Sequence, residues 1–271
     1  MKGDRWLVVN ADDFGFTSDV NAGIVEAHQL GILTATTLMA NGGAFDDAVR
    51  LAKANRLLDI GVHLVLVSGE SLVTPGRSLP RSIGHLIRAL MLGSFDVYAE
   101  LRAQIARVLN AGLAPTHLDT HKHTHLLPRV LNAVARLCGE FGIRWLRRPF
   151  DVPLGYGAPL SRRLTSRVSG LAARRFGTVL AKHGCRSTDH FAGFQITGRF
   201  DGPALARLLA ELPEGSTELM CHPGRCTAEL RAMRTRLKES RQRELAALTS
   251  PEVRRAIEEG GIRLAAYRDL P

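Results

Sequence analysis

WLVVNADDFGFTSDVNAGIVEAHQLGILTATTLMA, residues 6–40, runs from a short apolar stretch through a helical one to a second β-rich stretch. Trp6–Asn10 reads as a strand, Asn21–Leu30 as a helix after Ser18-Asp19, and Thr34–Ala40 as the next strand. The same alternation continues outward. Further strands are expected at Asp59–Leu66, Thr116–Thr120, Ile143–Arg147, Asp189–Phe191, Glu218–Cys221 and Ile262–Ala266. Helical periods fall between them at Phe45–Leu57, Val97–Leu109, Pro128–Phe141, Leu160–Lys182, Gly202–Leu212, Leu237–Leu248 and Glu252–Glu259. About eight β-α units at this length have the rhythm of a (β/α) barrel, with an open doubly wound sheet as the competitor. The expectation is one α/β domain over residues 1–271, barrel-like, with Ser68–Ser94 forming a helical excursion after the third strand.

Composition bounds the class. The chain is 45% hydrophobic and 23% charged, ordinary for a globular protein. No apolar run is long enough to span a bilayer, and the N-terminal stretch lacks the pattern of a signal peptide. Cys138, Cys185, Cys221 and Cys226 have no paired metal-type spacing, so free thiols in a reducing cytoplasm are expected. The net charge of +10 admits anionic partners. Nucleic acid is not expected, because aromatics are only 6% and no recognition motif appears.

The chemistry lies in where polar residues fall. Asp12 and Asp13 follow the first strand; His63 sits in the third; HLDTHKHTH, residues 117–125, covers the fourth and the turn after it. Arg147 and Arg148 end the fifth strand and His222 ends the seventh. Parallel strands bring their C-terminal ends to one face, so these distant residues converge there. The bland readings are an Asx-type turn for NADDFG, a satisfied core histidine for His63, and a solvated turn for the His-rich run. Adjacent buried acids need compensation, which a cation supplies. Strand alternation puts His117, Asp119 and His121 on one face, a cluster hard to bury without a metal.

These residues resemble the ChbG/YdjC carbohydrate deacetylase family, whose branches include hopanoid-associated HpnK proteins. The likeness rests on NADDFG, GVHL, THLDTHKHTHLLP and MCHPG in that order, close over residues 5–150 and looser over 185–225; residues 151–184 carry no matching motif. It implies a barrel-like fold and removal of acetyl from N-acetylglucosamine-type groups, on an oligosaccharide or a glycolipid, with one divalent metal ion. By the resemblance, Asp13, His63 and His121 match the metal ligands, Asp12 the base and His222 the acid. Asp119, His123, His125 and Arg148 are candidates for orienting a ligand or holding substrate. Mixed N/O ligation favours zinc or another transition ion, whereas the family is often associated with magnesium. Two competing expectations are a metal-dependent phosphoesterase and a non-catalytic sugar- or metal-binding module. Peripheral membrane contact through Ser82–Leu92 and Ser161–Phe176, and a homodimer, complete the expectations.

Overall fold

The computed structural model describes residues 4–152 and 173–271. Strand β1 (Arg5–Phe14) leads through helix α1 (Ser18–Leu30) to β2 (Ala35–Leu38), and α2 (Phe45–Ala54) leads to β3 (Asp59–Leu64). The excursion carries α3 (Ile83–Met91) before α4 (Val97–Asn110) and β4 (His117–Thr120). A 3-10 turn at His121–Leu126 precedes α5 (Pro128–Phe141) and β5 (Trp145–Leu146). Then follow α6 (Ala173–His183), β6 (His190–Ala192), α7 (Gly202–Ala210), β7 (Gly215–Cys221), α8 (Ala228–Ala232), α9 (Glu239–Leu248), α10 (Pro251–Glu259) and β8 (Ile262–Leu264). Each of the eight expected strands is present, with the fifth and sixth reduced to two and three residues. The expected helix Leu160–Lys182 and the basic segment Ser161–Phe176 lie outside the described residues up to residue 172, and their remainder falls in α6.

All pairings between these strands are parallel, in the order β5-β4-β3-β2-β1-β7-β6. Single parallel bridges, Trp145 to Arg186 and Asp151 to Phe191, draw the β5 and β6 sides together, giving the barrel-like form. Strand β8 joins the N-terminal end of β1, pairing Arg5–Leu7, while β2 pairs the same edge further on, from Asn10. Outward residues of β1 such as Leu7, Val9 and Ala11 pack under the helices in the main apolar core. Inward residues of the lower barrel, Val8, Ala35 and Trp145, close on Tyr267 and Leu270, which seal the floor.

Helix α5 illustrates local control. Pro128 stands at its first turn, where a missing N–H costs nothing, and Gly142 ends it in a left-handed conformation, φ 69°. The core stripe Val130, Leu131, Val134, Leu137 and Cys138 recurs at helical spacing and is buried. The four cysteines are buried and free. No helix among the described residues is long and apolar enough to cross a membrane.

Candidate metal and catalytic site

The strand ends open into a cavity of about 850 Å³, reached by Asp12, Asp13, His63, His121 and His222. Consecutive side chains of a regular strand face opposite ways, so Asp12 and Asp13 could not both enter it. The β1–β2 register slips between Ala11 and Phe14, and Asp13 takes φ 70°. This bulge turns both carboxylates inward. Among the described residues, the other non-glycine residues with positive φ are Ser68 (φ 67°), Lys122 (φ 56°) and His123 (φ 51°), and all of them also line the cavity.

Asp13 Oδ1 lies 3.4 Å from His63 Nε2 and 3.3 Å from His121 Nδ1, and those nitrogens are 3.3 Å apart. Three donor atoms thus converge from β1, β3 and the turn after β4. His63 Nδ1–H donates to Asp119 Oδ1 at 2.7 Å, which turns Nε2 toward Asp13 and His121. Asp119 is itself held, its Oδ2 accepting from Thr37 Oγ1 at 3.0 Å and Arg147 Nη1 at 2.7 Å. A carboxylate behind a histidine that points its second nitrogen at shared space is the usual outer support of a metal ligand. Asp13 Oδ1 is buried and accepts no hydrogen bond from the described residues.

Arg147 organises the layer beneath. It is 1% exposed, spans Asp12 with Nη1 and Nη2 at 2.8 and 2.6 Å, and donates from Nε to Glu218 at 2.7 Å. Asn10 Nδ2 donates to Asp12 at 3.2 Å and accepts at its oxygen from His117 Nε2 at 2.9 Å. His117 in turn stacks on Tyr267, with ring centroids 4.0 Å apart. A Cβ at Gly61 would lie 2.5 Å from the His117 ring, so glycine is what lets β3 pass it.

Charge in this interior is concentrated. Asp12, Asp13, Asp119 and Glu218 are buried carboxyl groups, and two buried guanidinium groups, Arg147 and Arg241, face them. Burial opposes ionisation of Asp12 and Asp13, but Arg147 for the first and Arg241 for the second hold both well below the usual carboxylate range. Burial also disfavours a charged His63, yet Asp119 and Asp12 outweigh it and lift the imidazole to about 10. Burial pulls His222 down to about 4, against the carboxylates of Asp12 and Asp13. Its Nε2 is 3.9 Å from Asp12 Oδ2. An orphaned carboxylate oxygen and two converging imidazoles fit a divalent cation held by Asp13, His63 and His121.

The remaining expected residues divide. Asp119 and His123 belong to the site: the first braces His63, and the second lines the cavity with its ring edge-on to Phe191 and Phe194. His125 folds away from it, its Nδ1 2.6 Å from Thr120 Oγ1. Arg148 also stands outside the cavity wall, donating to Asp189 O at 2.5 Å. Its neighbour Arg147 is the arginine that turns inward, beneath the cavity. Sequence reading gave no role to Arg147, Glu218, Asn10, Arg241 or Glu244. For Arg147 and Glu218 a signal existed, since each shares strand parity with an expected site residue or its layer: Trp145-Arg147-Pro149 and Glu218-Met220-His222.

A family model described as YdjC-like protein matches residues 6–259. A carbohydrate deacetylase of Geobacillus stearothermophilus is 34% identical over 273 residues, covering 98% of both chains. One from Brevibacillus brevis is 33% identical, covering 97% of this chain and 99% of its own. Among solved structures, a suggested cellobiose-phosphate cleavage protein of Enterococcus faecalis is similar at TM-score 0.76 and 26% identity, covering 98% of each chain.

Proposed function

The chain belongs to the YdjC-like family, and on that premise we propose that it is a carbohydrate deacetylase that hydrolyses the acetamide of an N-acetylated sugar with one divalent metal ion. The observation that carries this reading is the convergence of Asp13 Oδ1, His63 Nε2 and His121 Nδ1 within 3.4 Å of one another beside Asp12 and His222. Two full-length relatives named carbohydrate deacetylase support the substrate class.

A bound metal supplies a polarising positive charge and lowers the pKa of a water it holds. The N₂O donor set favours zinc or another transition ion over magnesium, which prefers oxygen ligands. Asp12, kept ionised by Arg147, accepts the proton of the attacking water as general base. His222 protonates the departing nitrogen. Since burial leaves His222 neutral near pH 7, the proton it delivers is one taken up during the reaction, and Asp12 Oδ2 at 3.9 Å is a carboxylate placed to supply it. Asp119 and Arg147 orient these groups without touching substrate.

A two-metal phosphoesterase is less well supported. The second group of potential ligands, Asp12, His63 and Asp119, surrounds space that the Arg147 guanidinium already bridges. A non-catalytic binding module has no use for the Asp12–His222 pair. Within the deacetylase reading, a lipid-linked sugar is favoured by Ile83, which lines the cavity, and by Ile87 and Met91, exposed on the same face of α3. That face would also carry the peripheral membrane contact.

The test is acetate release from N-acetylated oligosaccharides and glycolipids, by protein as purified, chelated, and resupplied with zinc. Activity should vanish on chelation and return with metal, and be faster on glycolipid. No acetate from any of these substrates would overturn the function; equal rates on both would remove the lipid preference. Asp12→Asn should keep the metal and lose about 10²-fold or more in kcat; a near-native kcat would place the base elsewhere.

A further inference from the structure

Two charged side chains of α9 reach the site from outside the strand ends. Arg241, 1% exposed, donates from Nη2 to Asp13 Oδ2, while its Nη1 is buried without a partner among the described residues. Its Nε–H reaches Leu237 O at 3.4 Å, and its side chain lines the cavity. Three residues on, Glu244 accepts from the backbone N–H of His222 and of Gly198, each at 2.6 Å. The same helix therefore braces the loop that carries His222 and one oxygen of Asp13.

A carboxylate with both oxygens free can chelate a cation through both, and so fill an additional coordination position. At Asp13 this is blocked. Oδ2 is taken by the guanidinium, and only Oδ1 faces the two imidazoles. A catalytic site needs positions left open for water and the substrate carbonyl. The guanidinium also repels a nearby cation, so its presence weakens metal binding rather than strengthening it.

We propose that Arg241 is a positioning residue that makes Asp13 a one-oxygen ligand, lowering metal affinity in exchange for open coordination. This rests on the metal reading given above. The inference differs from ordinary support of a ligand, where losing the partner lowers affinity and activity together.

Metal-free wild type, Arg241→Met and Arg241→Gln are titrated with Co²⁺ by calorimetry, with visible spectra and kcat for acetate release taken alongside. Arg241→Met should bind Co²⁺ several-fold tighter, show a weaker visible band because coordination number rises, and lose about 10- to 100-fold in kcat. Arg241→Gln is neutral and its amide ends near where the arginine Nε lies, short of Oδ2, so it should bind tighter and shift the spectrum as Arg241→Met does. It carries the test where Arg241→Met does not fold. Affinity unchanged or reduced in the variants, in step with lost thermal stability, would overturn the role of Arg241 alone. A wild type that takes up no Co²⁺ overturns the metal reading and this inference with it.

Discussion

At Arg147 a single guanidinium meets Asp12, Asp119 and Glu218, all buried. Each partner would be costly to bury alone, so the arginine holds together groups from β1, β4 and β7. Replacing it with methionine keeps much of the volume and strands three carboxyl groups. Removing one partner of a buried pair costs about 3–5 kcal/mol, and Arg147→Met should fall at least in that range by urea denaturation. A loss below about 1 kcal/mol would mean the carboxyl groups find other compensation. Sequence placed two arginines at the end of the fifth strand, and adjacency alone does not say which one turns inward. Parity does, because Trp145 packs into the barrel floor and Arg147 follows it by two. The Asp12-Asp13 pair was legible as a site, but the bulge that lets both face the cavity was not, since no glycine marks it.

Helix α1 carries a glycine, Gly23, in its interior, where alanine would ordinarily be more stable by about 1 kcal/mol. Here a Cβ would meet Gly224 Cα at 2.5 Å and Arg225 N at 2.8 Å, both backbone. Overpacking costs about 1–3 kcal/mol and wins over propensity. Gly23→Ala should thus lower the melting temperature, push back the loop bearing His222, and reduce kcat while Co²⁺ affinity holds. A more stable variant with native kcat would show the loop yields freely. Helices such as α5 were legible because their own residues start and stop them. Helix α8 was not, since its N-terminal N–H groups are capped from afar: Asp19 Oδ2 accepts from Thr227 N and Leu230 N, both at 3.1 Å. A cap over 200 residues distant leaves no local signature. Strands β5 and β6 at the barrel seam run for only two and three residues, because their pairing there is confined to a few bridges.

Over the whole molecule, the alternation of strands and helices made the α/β class legible, and the barrel-like closure came from contacts that no local pattern encodes. Tyr267 on His117 and β8 against the lower part of β1 seal the floor under a polar interior. That interior has a pH signature. Burial, the leading cause in each case, holds His117 and His123 well below their ordinary value, His222 at about 4 and His125 at about 3. In the folded state these groups bind fewer protons than unfolded imidazoles near 6.5, so their contribution to stability is present above about pH 6.5 and lost as pH falls. Glu218 and Glu244, raised to about 7 by burial, oppose this, since they keep protons in the fold that the unfolded chain releases. His63, lifted to about 10, opposes it as well near pH 6.5, but the four depressed imidazoles outweigh these three, and stability should decline from pH 6.5 toward 4.5. His125→Asn should flatten that decline by up to about 1.4 kcal/mol per pH unit, read from urea denaturation across the series. An unchanged slope would mean that His125 is already charged in the fold.

Asp13, Ser68, Lys122 and His123 share a backbone conformation that side chains with a Cβ resist, at about 1–2 kcal/mol each, and they line one cavity. The consequence concerns selection. Glycine at Ser68 or Lys122 relieves the strain, so a library screened only for surviving heat would collect glycines around the cavity. Each would be a gain in endurance and a loosening of the wall that aims His121 and Asp13. A lineage bred for toughness alone would drift toward a sturdier barrel that turns over less.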